Sequence, residues 1–233
     1  MCSKTKNIAI IPARGGSKRI PRKNIKDFFG KPIIAYSIEA AVKSNLFEEI
    51  MVSTDDKEIA EIAVRYGAKV PFFRGEQTAD DHAGLSEVVL EVLQAYEKNS
   101  RSFDQVCCLL ATAPFVTDKD LIHAHNKLIN SDFDSVFPVV RYSFPIQRAM
   151  QFEGKKIKMI WPENKTKRSQ DLKPSFHDAG LFYWAKTDAF FKAKSLWTDH
   201  TTAIEISEQV AQDIDTLEDW KMAELKYRLL HER

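Results

Sequence analysis

The sequence predicts an α/β protein whose mostly parallel sheet is covered by helices on both faces. Three observations predict it. Strand-like and helix-like segments alternate from the first residues onward. The first apolar run, Asn7 to Pro12, is continuous rather than alternating, as a strand covered on both faces should be. A polar, glycine-containing loop, Ala13 to Gly30, follows at the carboxyl end of that strand, where ligands bind in such sheets.

The remaining elements follow in order. Pro32 opens a helix on which Ile34, Ile38, Ala41 and Val42 recur at helical spacing. Glu49 to Thr54 reads as a strand. Asp55 or Asp56 caps a helix carrying Ile59, Ile62, Ala63 and Tyr66, and Gly67 ends it. Val70 to Phe73 reads as a short strand. Leu85, Val88, Val89, Val92, Leu93 and Tyr96 form the stripe of the next helix. Gln105 to Leu110 is a buried strand, and Thr117 or Asp118 starts a helix with Leu121, Ala124 and Leu128 inward. Ser135 to Val140 is again a strand. The rhythm then breaks: Tyr142 to Ser175 is rich in Lys, Arg, Pro and aromatic residues, and Gln151 to Ile160 suggests a hairpin turning near Gly154. Residues 141–176 thus read as an inserted arm within one domain spanning 1–233, either a subunit contact or a solvated loop. Gly180 to Trp184 returns to a strand. A final helix carries Leu217, Trp220, Ala223 and Tyr227.

Composition excludes several classes. A chain of 233 residues that is 44% hydrophobic can bury a sizeable core. Its formal net charge of +1 gives no global field toward nucleic acid or an anionic membrane, and neither is expected as a partner. No apolar run approaches the ~18 residues of a membrane span, and none at the start suits a signal peptide. The three cysteines, Cys2, Cys107 and Cys108, do not form a disulfide framework, and the adjacent pair reads as core. A reducing cytoplasm is the expected compartment.

The loop after the first strand carries the most chemistry. Arg14, Lys18, Arg19, Arg22, Lys23 and Lys26 precede any acidic residue, and Gly15 and Gly16 let backbone N–H groups approach an anion. Arg and Lys supply charge-assisted bonds to phosphate oxygens. A solvated basic loop is the plain alternative; the glycines, Ser17 and the position after a strand favour phosphate. The spacing matches neither the Walker A loop nor the dinucleotide fingerprint. Near the other end, Asp213 and Asp215 point to one side if Asp213-Ile214-Asp215 is extended. Two such carboxylates suit Mg²⁺ with a polyphosphate. Alternatively, Asp215 merely caps the last helix. Asp55 and Asp56 also follow a strand and could serve a site at the same sheet edge, with helix capping the favoured role for at least one of them.

Three segments resemble motifs of one family. Ile11 to Asn24 closely resembles the opening motif of the CMP-sialic acid synthetases (acylneuraminate cytidylyltransferases). Leu109-Leu110-Ala111-Thr112-Ala113-Pro114 resembles their middle motif. Asp213-Ile214-Asp215, followed by Leu217-Glu218-Asp219, looks like their closing Asp-x-Asp motif. His177-Asp178-Ala179-Gly180 with Phe182-Tyr183-Trp184, and Arg19 to Asn24, look most like the branch acting on pseudaminic acid. One departure matters: sialic-acid members carry a Gln where Leu110 stands here and a Ser where Ala113 stands, so their sugar contacts do not transfer.

The resemblance implies a Rossmann-like fold of the nucleotide-diphospho-sugar transferase type, with the arm used for dimerisation. It implies a homodimeric cytidylyltransferase that joins CTP to an acidic nine-carbon sugar for bacterial flagellin or surface glycans and releases pyrophosphate. Ala13, Arg14, Gly15, Ser17, Lys18, Lys23, Asn24, Arg74 and Thr112 would bind the nucleotide, with Asn24 near the ribose and Arg74 near the cytosine. Arg14, Lys23 and Asp215 would act in catalysis, and Asp213 and Asp215 would hold Mg²⁺. His177 and Tyr183 would face the sugar, although a loop histidine and a core tyrosine are equally good readings. Arg141, Arg148, Lys167 and Arg168 are candidates for the sugar carboxylate. The same reaction on N-acetylneuraminate, legionaminate or Kdo is the nearest rival. A non-catalytic nucleotide-binding protein and an RNA-binding module are rivals of other classes.

Overall fold

The computed structural model describes residues 5–75, 78 and 84–231, so Cys2 lies outside the described residues. A seven-stranded sheet forms the centre. β1 (Asn7–Pro12) pairs in parallel with β4 (Glu49–Ser53) and β5 (Gln105–Leu109). β6 (Ser135–Arg141) pairs in parallel with β11 (Thr201–Ile206). β10 (Phe182–Lys186) runs antiparallel between β5 and β6, giving the order β11-β6-β10-β5-β1-β4. β9 (Phe176–Asp178) also pairs antiparallel with β6. Thus β1, β4, β5, β6 and β11 share one direction, and the sheet is mixed but mostly parallel.

Side-chain alternation distributes the strands between two cores. Ala9 and Ile11 of β1 face one, with Val52 and Cys107; Ile8 and Ile10 face the other, with Met51 and Cys108. The first core is covered by α1 (Ile34–Ser44), α2 (Lys57–Arg65) and α4 (Asp118–Ile129). The second is covered by α3 (Leu85–Lys98) and α5 (Thr187–Ala193). Helices therefore lie on both faces. Cys107 and Cys108 are fully buried core residues whose thiols burial pushes upward, Cys108 to about 12, so neither is a thiolate nucleophile.

Several sequence expectations need correction. Val70 to Phe73 forms no strand: Lys69 makes a single bridge to Met51, and Pro71, which cannot donate to a ladder, stops the pairing. Pro32 lies in a two-residue strand, β3 (Lys31–Pro32), paired with β2 (Asp27–Phe28), and the helix starts after it. Val42 and Leu217 are exposed rather than inward. β9, β11 and α5 carried no clear periodic signal. In the arm, β7 (Met150–Glu153) and β8 (Lys156–Met159) form the expected hairpin about Gly154. The chain ends in α6 (Leu217–His231).

One buried polar pair ties α4 to β1. His125 is buried, its Nε2 lies 3.1 Å from Asn7 Nδ2, and its Nδ1 has no partner among the described residues. Burial lowers its pKa. The unfolded imidazole titrates near ~6.5. Between the lowered folded value and that pH, the unfolded chain binds more protons, so stability falls as pH drops through the window. Urea unfolding at pH 7.5 and 5.5 is expected to show this loss, and His125→Gln to reduce its slope. An unchanged slope would assign the loss to other groups.

Candidate active site

The loop after β1 is shaped by its contacts with α2. Ala13 continues the ladder by donating its N–H to Ser53 O at 2.9 Å. The Gly15 N–H goes to Asp55 Oδ1 at 2.8 Å. A Cβ on Gly15 would come within 2.8 Å of Asp56 Oδ2, so this close approach requires glycine. Asp56 caps α2, its carboxylate accepting from Ile59 N–H at 3.0 Å. Farther along, Ile20 is fully buried, and a single 3₁₀ turn, Lys23–Ile25, follows it. The Asn24 side chain is buried and donates to Arg14 O at 2.9 Å, tying the end of the loop to its start.

The acidic segment is held from the other side. Ile214, between the two aspartates, is fully buried in the same cluster as Ile20, Phe28, Phe115 and Trp220. Burying one isoleucine contributes roughly 1.5–3 kcal/mol, and this cluster draws the loop and the acidic segment together across the sequence. Asp215 does not cap α6. Thr216 Oγ1 accepts from Asp219 N–H at 3.2 Å, while the Asp219 carboxylate accepts from the N–H groups of Thr216 and Asp215 at 2.7 and 3.1 Å. That capping leaves the Asp215 carboxylate free to face the cleft. Gly180 packs beneath Asp213, and its added Cβ would lie 3.4 Å from Asp213 Cγ.

The two segments line one cleft of about 510 Å³. Arg14, Ser17, Lys18, Arg19, Lys23, Asn24, Arg74, Thr112, Asp213 and Asp215 all border it, with Pro12, Leu85, Val88, Leu110 and Ala111 forming its apolar wall. Lys23 Nζ donates to Ile214 O at 2.6 Å and lies 3.3 Å from Asp215 Oδ1. Arg19, a loop cation not assigned a role from the sequence, also reaches Asp215 Oδ1, at 3.1 Å. Arg74 is anchored by Ser53, through Nε to Oγ at 3.0 Å and Nη2 to the carbonyl at 2.6 Å. Water reaches the Asp213 side chain, yet the surrounding protein desolvates its carboxyl and raises its pKa; the charge of Asp215 adds to this and Lys23 opposes it. A crowded pair of carboxylates among fixed cations is suited to receiving a cation together with a polyanion.

Other expected site residues lie elsewhere. Ala13 and Gly15 offer no backbone N–H to a phosphate, since both are already donated to Ser53 and Asp55; they shape the loop instead. Tyr183 is buried, and its hydroxyl donates to Asp178. Asp178 also accepts the Gly180 N–H at 2.9 Å, which fixes the turn under Asp213. His177 is exposed, with Nδ1 2.8 Å from Asp178 O and its ring against Tyr142. Arg141 sits at the end of β6, while Arg148, Lys167 and Arg168 lie in the arm, where Arg168 pairs with Asp171 and Lys167 donates to Asn164. None of these four borders the cleft of this chain. The apolar wall was legible only as helix and strand positions, because nothing local separates a cleft-facing Val88 from a core-facing Val89.

Comparison with known proteins gives four findings. A model of the cytidylyltransferase family matches residues 8–225. The pseudaminic acid cytidylyltransferase of Campylobacter jejuni is 42% identical over 228 residues, covering 97% of this chain and 98% of that one. The CMP-N,N'-diacetyllegionaminic acid synthase of Legionella pneumophila is 36% identical over 229 residues, covering 93% of this chain and 94% of that one. Among solved structures, CMP:2-keto-3-deoxy-manno-octonic acid synthetase complexed with CTP matches with a TM-score of 0.70 and 18% identity over 98% of this chain and all of that one, a likeness of fold alone.

Proposed function

The chain belongs to the cytidylyltransferase family and is a nucleotidyltransferase, and we propose that it joins CTP to pseudaminic acid, giving the CMP-sugar and pyrophosphate. The observation that carries this is the meeting of the cationic loop with Asp213 and Asp215 in one cleft, with Lys23 and Asp215 in contact across 192 positions of sequence. In this reading the anomeric hydroxyl of the sugar attacks the α-phosphorus of CTP and pyrophosphate leaves. Such a transfer needs positioning and charge neutralisation more than covalent help.

The residues divide that work. Arg14, Ser17, Lys18 and Lys23 hold the triphosphate, and Arg14 and Lys23 stabilise charge that grows on the phosphoryl oxygens and the leaving group. Arg74 and the apolar wall take the cytosine, and Asn24, fixed on Arg14 O, sits beside the ribose. The donor set of Asp213 and Asp215 fits Mg²⁺. Two hard carboxylate oxygens with phosphates close by are its usual partners, and no third Asp, Glu, His or Cys joins them in a cluster among the described residues. When bound, Mg²⁺ supplies charge neutralisation at the phosphates. The product would be the activated sugar donor for surface-glycan or flagellin modification.

The quaternary and cellular parts of the reading rest on other observations. Residues 141–176 carry nine Lys or Arg against three Asp or Glu in a chain of net charge +1. They also expose Phe144 at 82% and Phe152 at 76%. A basic arm with bare aromatic side chains suits burial against a second copy, and a homodimer is proposed; a monomer mass by light scattering would remove it. Among the described residues no helix is long and apolar enough to cross a membrane. Two buried, protonated thiols and a CTP substrate suit the cytoplasm.

The test is pyrophosphate release with CTP, UTP and ATP against a panel of pseudaminic acid, legionaminic acid, N-acetylneuraminic acid and Kdo. Turnover is expected with CTP and pseudaminic acid. Preference for N,N'-diacetyllegionaminic acid, the sugar named for the 36%-identical relative, would replace the sugar assignment. Nucleotide binding without turnover on any sugar would overturn the reaction.

A further inference from the structure

Arg22 stands apart from the other cations of the loop. It does not border the cleft. Its guanidinium closes instead on the acidic start of α2, where Nη1 and Nη2 take the two oxygens of Asp56 and Nη2 also reaches Glu58. Asp56 is itself fixed: its Oδ1 accepts the Ile59 N–H, and its own N–H donates to Thr54 Oγ1 at 3.1 Å. The same side chain lies against Gly15. One carboxylate is therefore wedged between the beginning of the loop and its end.

The backbone at Arg22 points the same way. Its φ of 56° and ψ of 30° are left-handed, a conformation a residue with a Cβ adopts only when its surroundings impose it. The turn sends successive side chains to opposite sides. Arg22 goes to α2, and Lys23 goes into the cleft, to Ile214 O and Asp215. The charge response agrees with the geometry: hydrogen bonding to Asp56 raises the Arg22 pKa, and the same contact holds Asp56 below the usual carboxylate range.

We propose that Arg22 is a positioning residue whose forked grip on Asp56 and Glu58 latches the cationic loop to α2 and sets Lys23 across from Asp215. The inference rests on the cleft being a cytidylyltransferase site. A partly exposed ion pair adds little to global stability, so its loss should fall on the geometry of the loop rather than on the fold. Lysine cannot replace the fork, because a single ammonium makes no bidentate pair with Asp56.

Asp56→Asn separates the latch from the helix cap, because asparagine caps a helix as well as aspartate. Asp56→Asn, Arg22→Ala, Arg22→Lys and the Arg22→Ala/Asp56→Asn double variant are compared with the wild type. Each alanine or asparagine variant is expected to lower kcat about 10- to 100-fold, with KM for CTP changed by less than about threefold. The double variant should be no worse than its more damaged parent, and Arg22→Lys should recover only part of the loss. Amide hydrogen exchange across residues 14–24 should rise in the variants while the unfolding midpoint stays within about 3 °C. Exchange reads the latch without turnover, so an inactive wild type would sink the reaction and still leave the latch decided. Wild-type exchange and kcat in Asp56→Asn, losses that add in the double variant, or a fall confined to the unfolding midpoint would each overturn the proposal. Should Arg22→Ala fail to fold, Asp56→Asn and Arg22→Lys carry the same comparison.

Discussion

Asp215→Ala is expected to cut turnover with CTP by about 10³-fold while leaving the fold in place. The carboxylate is the point where the two halves of the cleft meet, within 3.1 Å of Arg19 and 3.3 Å of Lys23. Removing it takes one of the two carboxylates from the proposed Mg²⁺ site and ends the contact of Arg19, while Lys23 keeps only Ile214 O. The fold has no comparable dependence on it. Ile214 stays buried, and α6 keeps its start because Thr216 and Asp219 cap each other. The measurement is pyrophosphate release across a Mg²⁺ titration, together with thermal unfolding and calorimetric CTP binding. Asp215→Asn, which keeps an oxygen acceptor but loses the charge, should be nearly as inactive. Turnover close to wild type in either variant would strip Asp215 of its role.

Lys23→Ala is expected to lower kcat by about 10²-fold and to weaken apparent CTP affinity much less. Lys23 is largely enclosed, with 19% of its side chain exposed, and its ammonium is held at 2.6 Å by Ile214 O. A cation fixed in that way pays little reorganisation as charge develops on the transferring phosphoryl group, so its contribution falls on the transition state more than on the bound nucleotide. Lys23→Arg keeps the charge but cannot keep the same single-point contact, and it should recover only part of the rate. Single-turnover kinetics separate the two readings: a rise in KM with kcat unchanged would make Lys23 a ground-state phosphate ligand only.

The candidate site was partly legible along the chain. The uninterrupted run of cations after a buried strand marks the loop that the structure brings to the cleft, where Arg14, Lys18, Arg19 and Lys23 border it. Asp213 and Asp215 carry a similarly local signal through their spacing. Tyr183 and Ala13 show where residue type stops being informative. Residue type states what a side chain or backbone group is able to do, whereas Asp178 and Ser53, distant in sequence, decide whether it is already satisfied. Arg22 reads as one phosphate cation among six, and only its contacts with Asp56 and Glu58 set it apart. Val70 to Phe73 has the composition of a strand but not the partner.

By itself the sequence determined the α/β class, the alternation of side chains that feeds two cores, and the two charged segments. Each of these follows from periodicity or from neighbours within a few residues. Only the tertiary structure decided that β10 enters the sheet antiparallel between β5 and β6, and that Lys23 faces Asp215. The first depends on burial of Phe182 and Trp184 in one core and Tyr183 and Ala185 in the other, the second on Ile20 and Ile214 against Phe28 and Trp220, and hydrophobic burial carries no record along the chain of which distant partner it will find.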